Sequence, residues 1–253
     1  MMNWYTKGTV AVVAGICAAG SVAACSDGSD NDKTTLTVFA AASLKDSFEK
    51  LKDAYEQQHP GVTVNISYDG SNALVTRIKQ GATADVIATA DTKTMDALGT
   101  EAADRGDFAT NTLTIVTAEG NPKHIASLAD LTKPGITTVL CAPPVPCGAA
   151  SLKAEQQAGV TIAPVSQETS VTGVLTKVRT GQADAGIVYV TDAETAARQV
   201  DTVSDPAFGG VVNHYPIAVV AGTKHEADAT AFVDLVRGQT GQEVLGQFGF
   251  GPA

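Results

Sequence analysis

Eight residues, Thr37-Val38-Phe39-Ala40-Ala41-Ala42-Ser43-Leu44, constrain this chain more than any other stretch. Leu36, Val38 and Ala40 alternate with Thr37, Phe39 and Ala41 as a short buried strand requires, and small residues then bring the backbone to Ser43. Ser43 is placed to cap a helix, with Asp46 three residues on as in a capping box. Leu44, Phe48, Leu51 and Tyr55 give that helix one apolar face to about Gln58. A strand that passes through a small-residue turn into a helix N-terminus leaves unpaired N–H groups and the positive end of the helix dipole at the C-terminal edge of the sheet. Such an edge favours an anion. The same residues also suit an ordinary strand-to-helix turn, so the rest of the chain has to decide.

The pattern repeats. Val62 to Ser67 alternates like a strand, Gly70-Ser71-Asn72 is a turn, and Ala73 to Gln80 is helical and stops at Gly81. Ala84 to Ala90 is the next strand and Thr92 to Leu98 a short helix. Strands alternating with helices across short connections predict a mostly parallel sheet with helices on both faces. Thr112 to Thr117 reads as a strand crossing into a second lobe. There Ile125 to Leu131 reads as helix, Ile136 to Leu140 as strand, Gly148 to Gln157 as helix, Ser170 as the start of another helix, and Ala185 to Val190 as strand. Tyr215 to Val220 is a strand returning to the first lobe, and Ala227 to Arg237 and Gln242 to Phe248 close the chain as helices. Two crossings predict a two-strand hinge and a cleft. The expected organisation is residues 35–113 with 214–253 as lobe 1 and 114–213 as lobe 2.

Residues 1–24 read differently. Lys7 precedes an apolar run from Val10 to Val22, and Val22-Ala23-Ala24-Cys25 has the form of a lipoprotein-processing sequence, which makes residues 1–24 a signal peptide and Cys25 the lipidated N-terminus. A non-lipidated signal cut near Ala24 is the alternative; either exports the folded part. The run is short of the ~20 apolar residues of a membrane span. Residues 25–34 form a polar tether.

Removing residues 1–24 takes the formal charge from −10 to −11, because only Lys7 is lost. That balance, without a basic patch, excludes nucleic acid as a partner. Cys141 and Cys147, six apart across Ala-Pro-Pro-Val-Pro, suit a disulfide in an oxidising compartment, with free thiols as the alternative. They are not C-x-x-C, and His59, His124, His214 and His225 are isolated, so neither redox catalysis nor a metal site is expected. The chain has no G-x-S-x-G, Walker or G-x-G-x-x-G motif.

What remains are loops that open helices or end strands: Ser43, Gly70-Ser71-Asn72, Pro146-Cys147-Gly148 and Ser170-Val171-Thr172, with Tyr189 near the end of a late strand. In this setting the chain resembles the periplasmic molybdate-binding proteins of ABC importers, of the type II periplasmic-binding-protein fold. The resemblance runs from about Leu36 to Phe250 and lies in five stretches: residues 37–44, 81–91, Val145-Pro146-Cys147-Gly148, Gly186-Ile187-Val188-Tyr189 with Thr191-Asp192-Ala193, and Tyr215 to Val220. It implies an α/β fold of two lobes, each a mixed, mostly parallel sheet flanked by helices, joined by a two-strand hinge. The implied oxyanion ligands are the side chains of Ser43, Ser71 and Tyr189 and the backbone N–H groups of Cys147 and Val171, with Ser71 movable by one residue either way because Gly70 and Asn72 stand where the family has serines. A bridge from Cys141 would stiffen the site and leave the Cys147 N–H free to donate.

The resemblance further implies no enzyme activity, no cofactor, molybdate or tungstate as ligand, an importer permease as partner, and a monomer held by lipid at the outer face of the cell membrane. Sulfate or another oxyanion is the alternative ligand, and an exported serine hydrolase acting through Ser43 or Ser71 the alternative class. Molybdate, tungstate and sulfate are dianions near neutral pH, so their site needs donors only, whereas phosphate retains a proton that needs an acceptor. The five residues include no carboxylate; Asp69 is the neighbour that would change this if it turned inward.

Overall fold

Residues 33–253 are described by a computed structural model. In chain order they form β1 (Thr34–Ala41), α1 (Lys45–Gln58), β2 (Val62–Asp69), α2 (Ser71–Lys79), β3 (Val86–Ala88), α3 (Thr92–Asp96), β4 (Ala102–Ala118), β5 (Thr138–Cys141) and α4 (Pro146–Ala158). They continue with β6 (Ser166–Glu168), α5 (Val171–Arg179), β7 (Ala185–Tyr189), α6 (Val190–Thr195), β8 (Val200–Val203), β9 (Val212–Val220), α7 (Glu226–Arg237) and α8 (Gln239–Gln247).

The strands hydrogen-bond in the order β2-β1-β3-β9-β4-β7-β5-β6, with β8 beside β4. β1 runs parallel to β2 and β3 in one half, and β5 parallel to β6 and β7 in the other. β4 and β9, antiparallel to each other and to their neighbours, join the halves. The first ten or so residues of β4 pair with β9, and its last five or six pair with β7 and β8.

Both faces of the first half are buried, as the alternation of β1 requires. Leu36, Val38 and Ala40 face one core with Phe48, Leu51 and Tyr55 of α1, whereas Phe39 faces a second core with Leu74, Ile78, Ile87 and Met95. In the first core Phe48 packs edge-on against Phe232 at 6.2 Å and lies 5.8 Å from Phe108, tying α1 to α7 and β4. Such aromatic pairs contribute ~0.5–1.5 kcal/mol beyond their buried area.

Several local expectations are corrected. Ser43 does not cap α1: Ala42–Leu44 form a 3-10 turn and no side chain caps the helix that follows. The Ser43 hydroxyl is instead engaged by Tyr215, 3.0 Å away. The helix expected over Ile125–Leu131 is only a 3-10 turn, Leu128–Thr132, with Ser127 and Asp130 as its capping box. Asn121 bonds both the N–H and the carbonyl of Ile125 through its side chain, which holds that stretch out of a helix. α4 begins at Pro146, not Gly148, since proline suits the first helical position. β4 starts ten residues before Thr112, and β6 and β8 are strands with no apolar alternation to announce them.

Candidate functional site

The sheet order brings the ends of distant elements to one place. Ser43 lies in the turn between β1 and α1, Ser71 opens α2, Cys147 is the second residue of α4, Val171 opens α5, and Tyr189 ends β7. All five border one small cavity, about 10 Å³, together with Ala41, Ala42, Asp69, Gly70, Ala90, Val145 and Pro146. Sites for drug-sized ligands occupy roughly 300–1,000 Å³. This one admits only a ligand of a few atoms.

Local sequence explains each donor. The first N–H groups of a helix have no partner within it, and α2, α4 and α5 each begin at the cavity wall. Pro146 has no N–H to offer, so Cys147 is the first donor of α4. At α5 the Ser170 hydroxyl caps the Gly173 N–H at 3.3 Å, leaving the Val171 N–H outside that bond. The alanines of the β1 turn let the Ser43 backbone approach. No Lys or Arg borders the cavity, so negative charge there would be met by helix N-termini and hydroxyl dipoles.

Cys141 and Cys147 are bonded, with their Cα atoms 5.7 Å apart. The bridge ties the end of β5 to the first turn of α4 and consumes the thiol, which removes the free-thiol alternative. Gly148 is required beside it: a Cβ there would stand 2.0 Å from the Ala142 carbonyl oxygen, so only glycine lets the loop fold against the helix start.

Behind the cavity lies a polar layer that sequence reasoning missed. Ser71 Oγ accepts from the Ala90 N–H at 3.0 Å. Tyr189 Oη accepts from Asn213 Nδ2 at 3.0 Å, and Asn111 Nδ2 reaches Tyr215 Oη at 3.4 Å. Asn111, Asn213 and Tyr215 are buried on β4 and β9. The available signal was asparagine inside two strands, a residue that strands disfavour. Asp69 is the one carboxylate residue on the wall, and its Oδ1 accepts the Gly70 N–H at 2.7 Å.

Burial holds the phenols of Tyr189 and Tyr215 well above the usual tyrosine range, so both keep their protons as donors. Asp192, in the first turn of α6, accepts the Tyr189 N–H at 3.2 Å. Burial, with the Asp46 carboxylate adding repulsion, pushes its carboxyl up to about 7 against that hydrogen bond.

Two half-sheets joined by two crossing strands, with a donor-lined cavity fed by both halves, define a two-lobed solute-binding protein. The chain belongs to the family described as bacterial extracellular solute-binding proteins, whose model matches residues 36–251. It is 46% identical to the molybdate-binding protein ModA of Mycobacterium bovis over 98% of this chain and 99% of the relative. Its fold is that of the Azotobacter vinelandii periplasmic molybdate-binding protein, with a TM-score of 0.74 at 21% identity over 85% of this chain and 98% of the other. It matches the sulfate-binding protein SubI of Mycobacterium tuberculosis with a TM-score of 0.75 at 22% identity over 87% of each. Among the described residues no helix is long and apolar enough to cross a membrane.

Proposed function

We propose that this chain captures molybdate, and tungstate with it, in the cavity between the two halves and delivers it to the permease of an ABC importer. The observation that carries this reading is the convergence of Ser43, Ser71, Cys147, Val171 and Tyr189 on one small space. Three hydroxyls and two free helix N–H groups make a site that gives hydrogen bonds, which suits a tetrahedral dianion. Near full-length identity of 46% to a protein named as molybdate-binding supports the choice of anion.

Hydrogen bonds to a charged group contribute ~1.5–3 kcal/mol each, so several together support tight binding after the cost of ordering. On this reading the lobes are residues 35–113 with 214–253 and residues 114–213; the joining of the two half-sheets by β4 and β9 is consistent with hinged closure over the ligand. Closure presents the surface that a permease reads. The protein acts as a monomer and binds and releases its ligand without making or breaking a bond. No histidine borders the cavity to serve Ser43 or Ser71 as a base. The lipid on Cys25, left at the N-terminus once the signal peptide of residues 1–24 is removed, would hold the chain at the outer face of the membrane; both features lie outside the described residues.

Thermal unfolding with molybdate, tungstate, sulfate and phosphate in turn tests this. At one hundred times Kd a ligand of the folded state adds about 2.7 kcal/mol, which at this size is a rise of roughly 5–10 °C. Molybdate and tungstate are expected to give it. A rise with sulfate alone would reassign the ligand, and no rise with any of the four would remove the oxyanion reading.

A further inference from the structure

We infer that Asp69 is a specificity-determining residue of the cavity: its carboxylate, set against the opening of α2, repels a bound anion in proportion to the anion's charge. It thereby holds the affinity for a dianion below what the surrounding donors alone would give. This rests on the oxyanion reading of the cavity.

Asp69 stands last in β2, the outermost strand of its half. It pairs in register with Ala41 of β1, two residues before Ser43. Its Oδ1 accepts the Gly70 N–H at 2.7 Å, and Gly70 is followed by Ser71, the first residue of the nine-residue α2. The carboxylate therefore lies at the N-terminal end of α2, whose spare N–H groups and positive dipole end would otherwise be given over to an anion. Asp69, Gly70 and Ser71 all border the cavity. A side chain that is itself an anion occupies one edge of an anion site.

Little nearby offsets that charge. Among the described residues Asp69 takes part in no salt bridge, and no Lys, Arg or His borders the cavity. The hydroxyl of the adjacent Tyr68 goes to Glu49 at 3.0 Å. The Gly70 N–H asks only for an acceptor, which a neutral asparagine or serine would supply as well. The negative charge is thus not needed by the turn, and its effect falls on the ligand. It cancels part of the positive end of the α2 dipole. Coulomb repulsion also scales with the product of the charges, so a dianion is repelled twice as strongly as a monoanion of the same shape. Asp69 is half-buried, where screening by salt is incomplete. Donors from both halves capture the ligand, and one fixed charge loosens it for release.

The test is calorimetric titration of the purified protein with molybdate, and displacement of molybdate by perrhenate, a tetrahedral oxyanion of similar size with a single charge. Asp69→Asn keeps an acceptor for the Gly70 N–H and removes the charge. It is expected to bind molybdate about tenfold more tightly and perrhenate only about threefold, because the same repulsion acted on half the ligand charge. Asp69→Glu keeps the charge and is expected to keep the wild-type ratio of the two affinities; a ratio shifted as far as in Asp69→Asn would show that charge is not the cause. Equal changes for both anions in Asp69→Asn would mean that the residue only shapes the turn, and would overturn the inference; unchanged or weaker molybdate binding would do the same. If Asp69→Asn does not unfold cooperatively, Asp69→Ser, which also offers the Gly70 N–H a neutral acceptor, decides in its place. A wild-type protein that binds neither molybdate, tungstate nor sulfate is a separate result, removing the oxyanion reading and this inference with it.

Discussion

Gly70 stands so close to the backbone of Thr169 that a Cβ on it would lie 2.1 Å from the Thr169 carbonyl oxygen. Gly70 precedes α2 in one half of the molecule, and Thr169 lies between β6 and α5 in the other. The φ of Gly70 is −58°, open to any residue. The glycine therefore answers the contact between halves, not a demand of the backbone, and that contact joins the two loops leading to Ser71 and Val171.

A methyl group at Gly70 has to push the two loops apart. Gly70→Ala is expected to unfold as cooperatively as the wild type but to bind molybdate at least about tenfold more weakly, since a displacement of the order of 1 Å is enough to break hydrogen bonds made from the opposite half. Calorimetric titration beside a melting curve of the unliganded protein checks this. Equal affinity would show that the contact has no part in binding.

Ser43→Ala and Tyr189→Phe each delete one hydroxyl from the cavity wall. At ~1.5–3 kcal/mol per hydrogen bond to a charged group, each should weaken molybdate binding roughly ten- to hundredfold. Far-ultraviolet circular dichroism should be unchanged. Wild-type affinity in both variants would place the site elsewhere.

The Cys141–Cys147 bridge closes a short loop and so removes little chain entropy, about 2 kcal/mol on the loop-closure estimate. Replacing both cysteines with serine should lower the melting temperature by roughly 5 °C. Because the bridge anchors the first turn of α4, the same double variant should bind molybdate more weakly while keeping the Cys147-position N–H. A melting temperature equal to that of the wild type would contradict the entropic account.

Asp192 supplies the pH dependence. Its carboxyl is raised from an ordinary value of 3.8 to about 7 in the folded protein, chiefly by burial. A raised folded value means that the folded state holds the proton more tightly, so this group's stabilisation is complete below about 4 and is lost as pH rises towards 7. Asp192→Asn keeps an acceptor for the Tyr189 N–H without the buried charge. It should raise stability at pH 8 by a few kcal/mol and flatten the change in melting temperature between about pH 4 and 7. A variant with an unaltered pH profile would show that Asp192 titrates near its ordinary value.

Much of the architecture was legible because it is set over short spans. The alternation of β1, the apolar face of α1, the helices that follow the Gly70-Ser71-Asn72 turn and Ser170, and the spacing of Cys141 and Cys147 all lie within a turn or a strand length, where hydrophobic periodicity and turn chemistry act, although α2 begins at Ser71 and not at Ala73. Residues 102–111 of β4 were not legible, because Ala-Ala-Asp-Arg-Gly-Asp shows no alternation and its pairing with β9 shifts register twice. Nor were β6 and β8, which are strands because a neighbour offers them a ladder.

By itself the sequence determined that helices would begin, with small residues and spare N–H groups, at the ends of parallel strands, and from that came an anion-favouring edge. Only the tertiary structure decided what the side chains there do. Ser43 has the form of a helix cap, yet it meets Tyr215, 172 residues away, and Asn213 reaches Ala90 across 123 residues. Local preference weighs a serine or an asparagine against its nearest neighbours in the chain. The order of strands in the sheet chooses the partner, because a buried polar group must be paired with whatever donor or acceptor the fold brings beside it.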